Sequence, residues 1–291
     1  MERSTKQAYL IIAHKDDYTF HTLISMLDDE NNDIFIHMDK KNKEYNEEDT
    51  KKLVKKAGIY HSSRSSVAWG GYSLINAEMI LLHKATEMGR YNHYHLLSGQ
   101  DLPIQTQAAI QNFFIENTDK EFVGFDKDVF AYEDRVYYRY YFRELIGRNR
   151  LLKKIEKISI KIQKALKIKR NQNIRFQKGA QWFSITDDLA REVLSKEDWV
   201  KQVFKYGYCV DEIFLQTIVE NSEFVNRLYY NKADGSHRNT MRYIDWSSTR
   251  PHTFTCEDID KLKESELMFA RKFDCNVDST VIKEIYNLYK C

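Results

Sequence analysis

The chain has 291 residues, 42% hydrophobic and 30% charged, so it can bury a substantial core and is not disordered by composition. No stretch reaches the roughly 18 uninterrupted apolar residues of a membrane span, no signal-peptide pattern opens it, and the four cysteines lack metal spacing, which reads as a cytoplasmic protein with reduced thiols. The net charge of +2 hides an asymmetry: residues 135–175 hold fourteen Lys and Arg against two acids, leaving 31 basic and 41 acidic residues elsewhere.

In chain order, residues 8–13 (AYLIIA) form a short apolar run, as a parallel strand buried on both faces requires. A helix over 18–28, a strand over 33–38, a helix over 49–57 and a short strand at 59–61 follow. Residues 73–88 make an amphipathic helix capped by Ser73 or the glycines before it. Next come a strand at 93–97, a helix over 106–117 and a strand at 121–125. Beyond a basic helix over 149–170, strands are predicted at 181–185, 226–230 and 241–246, with helices near 187–196, 211–221, 256–265 and 279–289. No linker interrupts the series. The expectation is one α/β domain over 1–291, a Rossmann-type mixed sheet flanked by helices, with a basic helical insertion at 132–175. Ligands of such sheets bind beyond the carboxyl ends of the strands. The segments 14–16, 39–41 and 98–101 lie there.

No G-x-G-x-x-G, Walker motif, G-x-S-x-G or zinc-spaced histidine cluster is present, which disfavours nicotinamide enzymes, P-loop ATPases and serine hydrolases. What remains is acids, cations and small residues at strand ends. Taken singly these are ambiguous. Asp39 is first a turn former. Trp69-Gly70-Gly71 and Gly179-Ala180-Gln181-Trp182 permit close backbone approach to a ligand or mark tight turns. Asp211 and Glu212 open a helix, where the dipole favours acids in any case. Asp126-Lys127-Asp128 after an apolar strand has the look of a metal-binding D-x-D.

Together they carry a resemblance. The segments AYLIIAHK (8–15), IFIHMDKK (34–41), SVAWGGYSLINAEMILL (66–82), YHLLSGQDLPIQT (94–106), KGAQWFSIT (178–186), DEIFLQTIVENS (211–222), RYIDW (242–246) and FARKFD (269–274) occur in this order. The chain resembles the core-2/I-branching β-1,6-N-acetylglucosaminyltransferases and the related peptide O-xylosyltransferases. The resemblance implies a GT-A-like fold and an inverting, metal-independent transferase that uses a UDP-sugar and needs no cofactor. N-acetylglucosamine is the leading donor, with xylose, galactose and glucose open. The acceptor is a glycan or lipid-linked oligosaccharide, as in a bacterial relative serving polysaccharide biosynthesis.

By the same resemblance, Glu212 is the general base; the neighbouring Asp211 either orients it or raises its pKa through like-charge repulsion. Lys272 and an arginine, Arg242 or else Arg250, neutralise the leaving diphosphate in place of a metal. His14, Asp39, Val67, Trp69 and Gly70 lie at the nucleotide, and Asp101, Gly179, Trp182 and Asp211 near the donor sugar and acceptor. A metal-dependent enzyme using Asp126 and Asp128 is the rival. A non-enzymatic protein gripping nucleic acid or lipid is the alternative of another class, although the arm has few interleaved aromatics for nucleic-acid stacking.

The helix over 149–170 has two readings. In one it packs its Leu/Ile stripe on the body; in the other it rests on anionic lipid at the inner face of the membrane.

Overall fold

The computed structural model describes residues 4–127, 133–147, 149–247 and 250–290. Asp128 and Cys291 lie outside them.

A six-stranded mixed sheet forms the centre, in a GT-A-like α/β arrangement. β1 (Gln7–Ala13), β2 (Asn32–Met38), β3 (Gly58–His61) and β4 (His93–Ser98) are parallel, in the order β3-β2-β1-β4. Their continuous apolar runs follow from burial on both faces. β7 (Phe183–Thr186) pairs antiparallel with β4, and the two-residue β6 (Phe122–Val123) pairs antiparallel with β7. β6 therefore runs with β4, and the segment leading into β7 reaches the same edge at which β1, β2, β4 and β6 end.

Helices cover both faces. α1 (Tyr18–Met26), α4 (Gln107–Glu116) and α12 (Ser279–Tyr289) close one core around Phe20, Phe114 and Ile282. α3 (Ser73–Met88), α8 (Asp187–Ser195), α9 (Glu197–Phe204) and α10 (Phe214–Glu220) close the other around Leu82, Val193, Phe204 and Phe214. α3 is not capped as its sequence suggested. Ser73 Oγ accepts from Ala68 N–H (2.8 Å), and the Ser73 N–H donates to Glu144 Oε1 (2.9 Å), a residue 71 positions away.

A second, three-stranded sheet lies at the carboxyl end of β4 and sets much of the site. β5 (Asp101–Pro103) pairs antiparallel with β9 (Phe269–Arg271), which pairs parallel with β8 (Arg242–Ile244). The strand expected at 226–230 is a 3-10 turn over Glu223–Arg227 followed by one isolated bridge, Glu121 to Leu228. The helix expected at 49–57 is the shorter α2 (Glu47–Lys51). No helix among the described residues is long and apolar enough to cross a membrane.

The basic region forms three helices: α5 (Glu133–Tyr137), α6 (Arg143–Ile146) and α7 (Arg150–Ala165). Asn149 caps α7, its side chain accepting from the Leu151 and Leu152 N–H groups. α11 (Ile259–Lys263) packs before β9.

Candidate active site

Strand ends bring several of the expected residues, though not Arg242, to one edge. At the end of β2, the Asp39 N–H donates to Ala13 O (2.8 Å), tying that turn to the end of β1. Asp39 is 7% exposed, with the Lys41 ammonium 3.7 Å from its carboxylate. Lys41 also donates to the Val67 carbonyl, which draws the 65–71 loop across the strand ends. Arg64, which sequence reasoning missed, secures the turn by donating to Met38 O (3.1 Å) and Asp39 O (2.9 Å).

His14 stands beside this turn. Its imidazole is held below the usual histidine range, by partial desolvation first and then by Lys15, with Lys272 adding to the effect and Asp17 and Asp39 opposing it. Asp39 and Lys272 thus both act on His14. Loops from three strands close its floor. Lys15 Nζ pairs with Asp274 Oδ2 (2.8 Å), and the Phe273 N–H donates to Gln100 O (2.9 Å).

Asp101 is 2% exposed and does not face an open cleft. It accepts from the Ser98 N–H (2.9 Å) and hydroxyl (2.7 Å), and Arg271 Nη1 donates to it at 3.0 Å. Pairing of β5 with β9 puts Asp101 directly opposite Arg271. Arg271 then lies with its guanidinium carbon 4.1 Å from the ring centroid of Trp182. Asp101 therefore holds Arg271 from a buried position. Arg271 was overlooked in the sequence, although it immediately precedes Lys272 in FARKFD.

Arg242 belongs to the core. It is 2% exposed and donates to Leu96 O (3.3 Å), Ser184 Oγ (3.0 Å) and the carbonyls of Thr240 and Phe183. Burial lowers its pKa to about 9. A guanidinium bonded in this way between the two sheets is withdrawn from any surface diphosphate. Arg250 is exposed on the loop after β8.

Glu212 ends a 3-10 turn, Val210–Glu212, on the same edge. Its backbone carbonyl accepts from the Gly179 N–H (2.9 Å). Its carboxylate receives Arg135 Nη1 at 2.7 Å, with Lys178 Nζ at 3.8 Å, and its side chain is 35% exposed. Arg135 was another omission; its only signal was the alternation of basic and aromatic residues in RVYYRYYFR. Asp211 points inward. Burial, then the neighbouring Glu212 charge, raise its pKa to about 7, and its Oδ1 lacks a hydrogen-bond partner. Glu78 on α3 is fully buried and raised well above the carboxylate range, by desolvation and then by Asp211. The Gln181 amide donates to it at 3.1 Å.

The glycines answer to the protein itself. A Cβ on Gly179 would stand 1.6 Å from Gly124 O, and one on Gly70 (φ +71°) 2.9 Å from the Tyr208 ring. The close approaches read from sequence are therefore between segments of the chain. Trp69, beside Gly70, is 77% exposed, with its ring 6.0 Å from Tyr208. A cleft of about 360 Å³ opens nearby between Ser65, the start of α3, Tyr140, Tyr141 and Tyr206.

Asp126 is ion-paired with Lys178. Among the described residues one group could hold a metal, Asp17, Asp274 and Cys275, with ligand atoms within 4.8 Å of one another. Two of the three are already engaged: Asp17 caps α1, and Asp274 pairs with Lys15.

The profile of the Core-2/I-Branching enzyme family matches residues 7–268. The chain belongs to this family. Among curated relatives of this Core-2/I-Branching chain, Xylosyltransferase 2 of Canis lupus familiaris is 22% identical, over 97% of this chain and 33% of the relative. Xylosyltransferase 2 of Homo sapiens is also 22% identical over the same shares, and Xylosyltransferase sqv-6 of Caenorhabditis elegans is 24% identical over 74% and 28%. The chain thus spans about a third of the length of the relatives it matches.

Proposed function

We propose that the protein is an inverting glycosyltransferase that moves a sugar from a UDP-sugar to a hydroxyl of a glycan or lipid-linked oligosaccharide. The observation that carries this reading is Glu212: a partly exposed carboxylate, held by Arg135, on the strand edge that also carries the adjacent cations Arg271 and Lys272. In the proposed step the acceptor oxygen bonds to the anomeric carbon while the bond from that carbon to the diphosphate oxygen breaks. The acceptor proton passes to Glu212, and the electron pair leaves with UDP. Lys272 and Arg271 stabilise the charge growing on the diphosphate, so no metal is required. Arg271 takes the place first given to Arg242. Asp39 and His14 hold the nucleoside end. Tyr140, Tyr141 and Tyr206 offer aromatic faces to acceptor sugars.

The family resemblance favours N-acetylglucosamine as donor, whereas the names of the matched relatives favour xylose. A thermal-shift series with UDP, UDP-N-acetylglucosamine and UDP-xylose tests the reading, because a ligand that binds only the folded state raises Tm. UDP should stabilise the wild type and stabilise Lys272→Ala less, while uridine, which lacks phosphate, should act equally on both. Turnover should persist in excess EDTA. Loss of turnover there would point to a metal-dependent enzyme using Asp126 and Asp128, and indifference to every nucleotide would contradict the reading altogether.

A further inference from the structure

α7 is mounted with its apolar side outward. Its two buried side chains are polar: Glu156 is ion-paired with Arg143, and Gln163 exchanges hydrogen bonds with the backbone N–H (2.9 Å) and carbonyl (3.0 Å) of Arg139. Roughly 110° round the helix from these two, the exposed flank carries Leu151 (65% exposed), Ile155 (39%), Ile158 (56%), Ile162 (53%) and Leu166 (64%). At 100° per residue these five fall on a single stripe about 22 Å long. A stripe of this size left in water has a cost that an apolar partner would remove.

The charges beside the stripe identify that partner. Lys153, Lys154, Lys157 and Lys161 are exposed, and the single acid of the helix, Glu156, faces inward. Two copies of this chain meeting stripe to stripe would bring two sets of lysines together with no acid from either helix between them. A nucleic acid would satisfy the lysines and leave the stripe in water. A bilayer surface bearing anionic lipid satisfies both.

We infer that α7 docks the protein on a membrane surface containing anionic phospholipid, with its Leu/Ile stripe among the acyl chains and its lysines at the headgroups. The mounting ties this surface to the candidate site. Arg143, the partner of Glu156, stacks 4.1 Å from the Tyr208 ring, Glu144 caps α3 behind the Trp69 loop, and Arg135 on α5 holds Glu212. The docking helix and the candidate site thus share one set of supporting side chains. Docking itself is independent of the transfer reading.

Co-sedimentation of the full chain with phosphatidylcholine vesicles, with and without phosphatidylglycerol, tests the inference and needs no sugar donor. Binding should require phosphatidylglycerol and weaken as salt is raised. Each basic residue contributes about fivefold, so replacing Lys153, Lys154, Lys157 and Lys161 by Gln should cost at least about a hundredfold in partitioning. The double variant Ile158→Glu/Ile162→Glu, at exposed positions, should also lose binding while keeping the wild-type Tm. Failure of the wild type to bind at low salt would overturn the inference. So would equal vesicle binding by the double variant, which would reduce the arm to a polycation. A wild-type dimer that the double variant dissociates would assign the stripe to a second copy and overturn it as well.

Discussion

The carboxyl groups near residue 212 divide by environment into one that is partly open to solvent and two that are buried. Glu212 is partly exposed and held by Arg135, while Asp211 and Glu78 lie beneath it in the interior. Asp211, raised from 3.8 to about 7, binds its proton more tightly in the folded chain than in the unfolded one. Stability therefore falls as pH rises from about 4, where Asp211 is protonated in the folded state, to about 7, and levels off above. The slope is at most about 1.4 kcal/mol per pH unit for one group. Asp211→Asn should remove this component. The stability of the variant relative to wild type, from denaturant titrations at a series of pH values, should rise between about pH 4 and 7. A pH-independent difference would mean that Asp211 is not held protonated by its surroundings. The pair D-E was visible in the sequence and the resemblance singled out Glu212, but the burial of Asp211 beside a partly exposed Glu212 was not legible there. That division depends on the 3-10 turn at Val210–Glu212 and on α3, more than 120 residues earlier.

Among the elements, legibility followed the strength of the periodic signal. The parallel strands were readable because a strand buried on both faces must be a continuous apolar run. β5 and β9, three residues each, carry no such signal, and with them went the pairing of Asp101 with Arg271. Arg242 was misplaced for the same reason: whether an arginine on a short strand faces solvent or the other sheet is decided by the neighbouring strands. The periodicity of α7 was plain, yet it gave no indication that polar Glu156 and Gln163 would face inward. The segment before β7 makes the tightest contact among these elements. Gly179→Ala would push a Cβ to 1.6 Å from the Gly124 carbonyl, so the two backbones must separate. The displaced segment carries the N–H bonded to Glu212 O and leads to Trp182. A loss of about 3 kcal/mol or more is expected from denaturant unfolding, together with reduced turnover. Unchanged stability would contradict the packing described here.

At the scale of the whole molecule, a doubly covered sheet gathers residues from positions 14 to 272 onto one edge. The second sheet adds Arg271, and the basic helices add Arg135. The eight ordered segments made the family legible in the sequence itself. The basic region, outside those segments, could be read only as an amphipathic pattern. The central claim is that this edge performs sugar transfer with Glu212 as base, and kcat for Glu212→Gln, with UDP-sugar affinity measured on the same preparation, tests it most directly. Donor affinity should match wild type and kcat should fall by about 10²–10⁴-fold, as for a lost general base. A variant that turns over at nearly the wild-type rate, above all if Asp211→Asn does not, would contradict it.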